Sequence, residues 1–305
     1  MILPKHVLHA DWSHHPAKRW VCHAHLHNGR YQVDVPVRAV PTTILADLES
    51  DSVVAGFDFP IGLPHAYAQR AGISSFLATL PHLGSGAWGD FFHVAAASHE
   101  IAIARPFYPH APGGKRRAHL VTALGLATAD DLYRECELRG QRACPLFWTL
   151  GGNQVGKAAI TGWREVLQPA LANPRTAIWP FAGDLEDLVA RRGAVIVETY
   201  PGDAYKYVGA TLSLVQGGRG KRHPPSRAAC APGILGWAAG AGVEVSDALE
   251  AEIRDGFGTA ADGEDRFDAL TGLLGMITVL QGLRAVGMPD SDKVRSVEGW
   301  ILGRL

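Results

Sequence analysis

The chain has 305 residues, 47% of them hydrophobic and 19% charged, with a formal net charge of −1. That length and apolar content support a substantial buried core. The near-zero charge excludes a protein drawn to nucleic acid or anionic membrane by its overall field, so any polyanion has to meet a local patch. Residues 1–12 lack a basic-then-apolar leader pattern, and the apolar run 270–280 is broken by glycines and too short to span a bilayer. The four cysteines form no C-x-x-C pair, which fits a reducing cytosol rather than a disulfide framework or a zinc finger, so the expected location is cytoplasmic, away from any membrane.

Residues 6–10 read as a short strand that ends at Asp11-Trp12-Ser13. Residues 19–26 alternate, with Trp20, Cys22, Ala24 and Leu26 on one face and His23 and His25, followed by His27, on the other. Asn28-Gly29 is a two-residue hairpin signal, because both positions tolerate positive φ. Residues 31–37 return as a third strand, giving a three-stranded antiparallel meander. A short helix then runs from Pro41 to about Glu49, with Ile44, Leu45 and Leu48 on its buried side. Residues 53–57 form a fourth strand followed by Asp58, and Pro60, Gly62 and Pro64 mark where pairing stops. A right-handed crossover would set strand four parallel to strand one and beside it. Asp11 and Asp58 would then sit at the same end of strands about 4.8 Å apart, close enough to share a metal ion.

Residues 65–183 are less regular, with helical stretches near 66–71, 129–140 and 158–171 between loops rich in glycine, proline and histidine. No Gly/Ser or Pro-rich linker sets them apart, so the chain is expected to be one domain, 1–305, with its core in 1–64 and 184–305 and a large, mostly helical insertion at 65–183. Residues 185–191 suggest another helix and 194–197 a buried strand. That strand is closed by Glu198-Thr199-Tyr200-Pro201, repeating the order of apolar strand, acid and proline. The loop 206–227 is rich in glycine, arginine and lysine, and 246–256 read as a helix. From Gly263 to about Arg284, Asp265, Asp268, Gly272 and Gly275 share one helical face, whose glycines allow close approach to a sheet. Its positive N-terminal end favours ionised aspartates. Residues 298–302 suggest a short closing strand.

Asp11, Asp58, Glu198, Asp265 and Asp268 thus come from three strand ends and one helix start. Carboxylates gathered in one place repel each other unless a cation lies among them. Hard oxygen donors suit Mg2+ or Mn2+, and such ions on a phosphate activate water and stabilise the leaving oxygen. Asp11 after strand one, Phe57-Asp58-Phe59-Pro60-Ile61-Gly62-Leu63-Pro64, Val197-Glu198-Thr199-Tyr200-Pro201, Asp265-Arg266-Phe267-Asp268-Ala269-Leu270 and the closing Glu298-Gly299-Trp300-Ile301 carry a resemblance. The chain resembles the RNase H-like predicted nucleases of domain-of-unknown-function family 429, over about 2–64 and 184–305. The resemblance implies an α/β fold with a mixed five-stranded sheet in the order 3-2-1-4-5, flanked by helices, and a metal site similar to that of Holliday-junction resolvases, which carry a like Asp-x-x-Asp on their last helix. The second strand-end acid there is usually glutamate, whereas this chain has the shorter Asp58.

The expected activity is metal-dependent cleavage of phosphodiesters, with nucleic acid or a small phosphodiester as substrate. Asp11, Asp58, Glu198 and Asp268 are the candidate catalytic groups, and Asp11, Asp58, Asp265 and Asp268 the candidate ligands of Mg2+ or Mn2+. Gly151-Gly152-Asn153-Gln154-Val155-Gly156-Lys157 fits a phosphate-binding loop, but Ala158 replaces the hydroxyl that would hold magnesium. Asn153, Gln154 and Lys157 at a helix start remain candidates for holding a substrate phosphate. Lys115-Arg116-Arg117 and Arg219, Lys221 and Arg222 offer a path for a phosphate backbone, with Arg116 and Arg222 as candidate contacts. Trp88, Trp148 and Trp163 are candidates for base stacking. His14, His15 and His65 lie just beyond the acidic strand ends. His23, His25 and His27 lack a third ligand at a recognisable spacing and read as an exposed sheet face. The alternatives are a non-catalytic nucleic-acid- or nucleotide-binding protein on the same fold, and a nucleotide-dependent kinase or triphosphatase using the loop at 151–157.

Overall fold

The alternating segments near the start pair as their periodicity requires, and later segments add to them on both edges. A computed structural model describes residues 2–139, 144–151, 155–191 and 193–305. The strands are β1 (His6–Asp11), β2 (Trp20–His27), β3 (Arg30–Val33), β4 (Val37–Arg38), β5 (Val53–Phe57), β6 (Thr176–Ile178), β7 (Ala194–Glu198) and β8 (Val243–Val245). They form a mixed eight-stranded sheet in the order β6-β7-β5-β1-β2-β3-β8, with β4 paired to β2, and helices flank it. Asn28 and Gly29 take φ of 49° and 80°, the left-handed pair that a tight hairpin demands. The third expected strand is split into β3 and β4. Pro36 lacks an N–H, and the Asp34 carboxylate accepts from the Val35 N–H at 2.7 Å, so pairing stops there and resumes with Val37↔Val21. β5 follows the Pro41–Leu48 helix and lies parallel to β1, with β7 parallel to β5 beyond it.

Each face of the sheet carries its own core. Leu8, Ala10, Val21, Ala55, Phe57 and Ile196 pack on one side against the 65–183 segment, including Phe76, Phe91 and Trp163. Val7, Cys22, Ala24, Val54, Val195 and Val197 face the other way, toward the Gly263–Leu280 helix. That helix is buried at every position from Phe267 to Leu280, because the Pro201–Ala204 helix covers its outer side. Gly272 lies against the His9 ring of β1 and admits the close approach expected of it, whereas Gly275 faces Ala204 and serves the outer layer instead of the sheet. A Cβ on Gly272 would overlap the His9 imidazole. Gly272→Ala is therefore expected to lower stability by about 1–3 kcal/mol in urea unfolding, even though alanine is the better helix former.

Elsewhere the structure departs from the expected pattern. The 65–183 segment, expected to be mostly helical, also supplies edge strand β6. The stretch expected as one helix at 129–140 is two short turns, Asp130–Leu132 and Glu135–Leu138, parted where Arg134 is extended and caps the second. The 158–171 stretch is helical but contains a π turn at Trp163–Leu167, just before Pro169, whose missing N–H cannot continue the regular ladder. At the C-terminal end a π turn spans Val294–Glu298, and the expected closing strand is reduced to one parallel bridge between Ile301 and Glu198. Among the described residues no helix is long and apolar enough to cross a membrane.

Candidate metal centre

Register decides which acids meet. Val7↔Val54 and His9↔Gly56 pair across β1 and β5, so stepping two further brings Asp11 level with Asp58, just past the end of β5. Both leave the sheet on the face of Val7 and Val54, the side on which the Gly263–Leu280 helix packs. The helix is fixed there by His9, which bonds the Ala269 carbonyl through Nδ1 at 3.1 Å and the Thr199 hydroxyl through Nε2 at 2.9 Å. Asp265 and Asp268, in the first turns of the helix, are thereby brought to the end of β1 and β5. The four carboxylates border a cleft of about 580 Å³.

Burial, followed by the charges of Asp58, Asp268 and Asp265, pushes the Asp11 carboxyl well above the ordinary range, against the pull of Lys221. Burial raises Asp58 to about 6; the Trp12 N–H, at 2.7 Å from its Oδ1, works the other way, and Asp268 adds to the rise. Asp265 is pushed up to about 6 by burial and by neighbouring Glu264. Its Oδ2 is buried without any hydrogen-bond partner. Asp268 is satisfied differently, since the Tyr205 hydroxyl donates to one oxygen and the Lys221 ammonium to the other. Burial works against the Lys221 charge, but Asp268, with Asp11 and Asp58 behind it, outweighs that and holds the ammonium protonated well above its ordinary range.

Glu198 borders the same cleft but its carboxylate is turned elsewhere. The pairs Gly56↔Val197 and Phe57↔Glu198 set it level with Phe57, so it leaves the sheet on the face opposite to Asp58. There the buried Arg134 guanidinium meets both of its oxygens at 2.6 Å, and the Ile61 N–H donates to it at 2.7 Å. Thr199, one residue on, takes the face of the aspartates and holds His9.

The other sequence candidates divide clearly. Arg222 lines the cleft, 3.3 Å from Glu264 through its Nε. Lys157 lies close enough to His14 for its charge to act on that imidazole, and His14, His15 and Lys18 line the rim. Arg116 does not border the cleft. Its neighbours Lys115 and Arg117 donate to the Ala96 carbonyl and to the Tyr133 hydroxyl, both within the 65–183 segment. His65 is likewise not among the lining residues. Asn153 and Gln154 lie outside the described residues. Trp163, a candidate for base stacking, is fully buried with its Nε1–H on the Pro60 carbonyl at 2.7 Å, so it is core. Tyr205 and Arg134 carried no sequence signal as site residues, since each acts across more than sixty positions.

Asp11, Asp58 and Asp265 hold their protons above the ordinary range, and Asp265 keeps an unpartnered buried oxygen, the donor chemistry a hard divalent cation takes. Among the described residues, no three of the carboxylates lie within 4.8 Å of one another, so a shared ion would require their side chains to turn inward. No family model, no curated protein and no solved structure matches this chain.

Proposed function

We propose that the chain is a divalent-metal-dependent phosphodiesterase, a nuclease on an RNase H-like fold as the resemblance to domain-of-unknown-function family 429 implies. The observation that carries this reading is that Asp11, Asp58, Asp265 and Asp268 border one cleft, the first three with proton affinities raised chiefly by burial. The central run β3-β2-β1-β5-β7, with β1, β5 and β7 parallel, supports the fold part of the reading.

Asp11, Asp58, Asp265 and Asp268 would hold Mg2+ or Mn2+. When bound, such an ion polarises a phosphoryl oxygen and makes its water acidic enough to attack. The chain itself orients and neutralises. Tyr205 holds the Asp268 carboxylate in place, and the Trp12 N–H does the same for Asp58. Lys221, half-exposed at the cleft and paired with Asp268, would offer its ammonium to a substrate phosphate if a cation took its place on that carboxylate. Arg222 and the rim residues Lys18, His14 and His15 extend positive charge outward along the same cleft.

Because Asp58 and Asp265 each bind protons up to about 6, protons compete with the metal. Mn2+ affinity is expected to be at least roughly 100-fold weaker at pH 5 than at pH 7.5, about tenfold each for Asp58 and Asp265, with the raised Asp11 carboxyl adding to the loss. Calorimetric titration at the two pH values measures this, and a pH-independent affinity would place the metal elsewhere. The activity is tested on a panel of single- and double-stranded DNA, RNA and small phosphodiesters, with Mg2+, Mn2+ or EDTA. Metal-stimulated turnover of at least one member is expected. Lys221, already paired with Asp268, favours one other reading, a protein that binds phosphate groups without cutting them. Tight binding of a panel member with no turnover under either metal would establish that reading instead.

A further inference from the structure

The opposite end of β1 gathers a second set of metal-binding groups, of different chemistry. His6 of β1 is directly across from His25 of β2, and His23 lies two residues along the same strand, across from Leu8. Side chains two apart on a strand share a face, so all three imidazoles emerge together. The His6 ring stacks on that of His25 with centroids 4.3 Å apart, and His6 Nε2 and His23 Nδ1 are 2.9 Å apart in a hydrogen bond. One nitrogen from each ring lies within 4.8 Å of the others. Three nitrogens around a tetrahedral ion at about 2.1 Å would sit roughly 3.4 Å apart, so small ring rotations suffice. His27, next on the strand, is not part of the group.

A further observation points to a cation. Asp47, on the Pro41–Leu48 helix, interacts electrostatically with His25 and keeps a buried Oδ2 that has no hydrogen-bond partner. Nitrogen donors prefer late first-row ions to Mg2+, so this end of the strand selects differently from the carboxylates at Asp11, about 17 Å away along β1.

We propose that His6, His23 and His25 form a zinc-class metal site, separate from the carboxylate centre, in which three imidazoles bind the ion and leave a fourth position to water or to Asp47. The site ties β1 to β2 where the sheet begins, and it stands whether or not the chain cleaves phosphodiesters.

Co2+ is the probe, because a four-coordinate nitrogen site gives intense visible absorption whereas an oxygen cluster binds it six-coordinate and nearly colourless. Titration of the full chain is expected to develop the intense bands with one equivalent of Co2+, and Zn2+ should bleach them. His25→Ala, at an exposed position, is expected to weaken Zn2+ binding at least tenfold, as is His23→Gln, with circular dichroism showing the fold retained. Asp58→Asn should keep the bands. Wild-type protein without four-coordinate absorption would overturn the proposal, as would bands undiminished in both folded histidine variants.

Discussion

Asp58→Asn is expected to remove metal-stimulated phosphodiester hydrolysis by about 10³-fold, roughly 4 kcal/mol of transition-state stabilisation at 1.36 kcal/mol per decade. The same change should make the metal-free protein more stable at neutral pH. Asp58 binds its proton more tightly in the fold than in the unfolded chain, with a value of about 6 against an ordinary 3.8. The folded state therefore holds more protons between those values, and the favourable contribution, complete below pH 3.8, is lost as pH rises through 6. At pH 7.5 in EDTA the wild type carries the cost of an ionised, buried Asp58 beside Asp268, and asparagine relieves it. The expected rise is about 2–5 °C in Tm, which vanishes near pH 4. Added Mn2+ should reverse the order by stabilising wild type and not the variant. Equal turnover in the two proteins across the substrate panel would remove the catalytic assignment. A variant that is less stable than wild type at pH 7.5 without metal would show that the buried Asp58 charge does not cost the fold stability.

Arg134→Met is expected to cost about 3–5 kcal/mol in urea unfolding, because it strips the partner from buried carboxylates instead of removing a neutral contact. Arg134 is fully buried, and its guanidinium spans Glu137 and Glu198, whose side chains are 2% and 5% exposed. The Arg134 Nη1 also donates to the carbonyls of Ile61 and Glu298 at 3.3 and 3.1 Å, tying the turn after Asp58 to the C-terminal segment. Lysine cannot reproduce the two-pronged contact with Glu198, so Arg134→Lys should recover only part of the loss. Adding Glu137→Gln and Glu198→Gln to Arg134→Met should restore most of it, since the uncompensated charge is then gone. A loss below 1 kcal/mol for Arg134→Met would mean that water or another cation reaches these acids.

Local chemistry along the chain was enough to determine the meander, its Asn28-Gly29 turn, the crossover to β5 and the buried β7. Each rests on alternation, apolar runs or turn residues within a few positions. The same local signals marked Asp11, Asp58, Asp265 and Asp268, because a charge at the end of an apolar strand or in the first turns of a helix stands out against its neighbours. Only the tertiary structure decided where Glu198 points. Its place after an apolar run looks the same as that of Asp58, but the face it takes depends on β5–β7 register, and period-two alternation sends it to the other side, where Arg134 lies. Lys221 reaches Asp268 from a long loop, and Tyr205 from the short 3-10 turn Tyr205–Tyr207, and no periodicity encodes either path. β6 and β8 are three-residue edge strands, too short for alternation to declare them, and they pair only because a sheet edge is already there. The third imidazole at His6 was hidden for a like reason, since strands pair across positions that the linear spacing of His23 and His25 does not reveal.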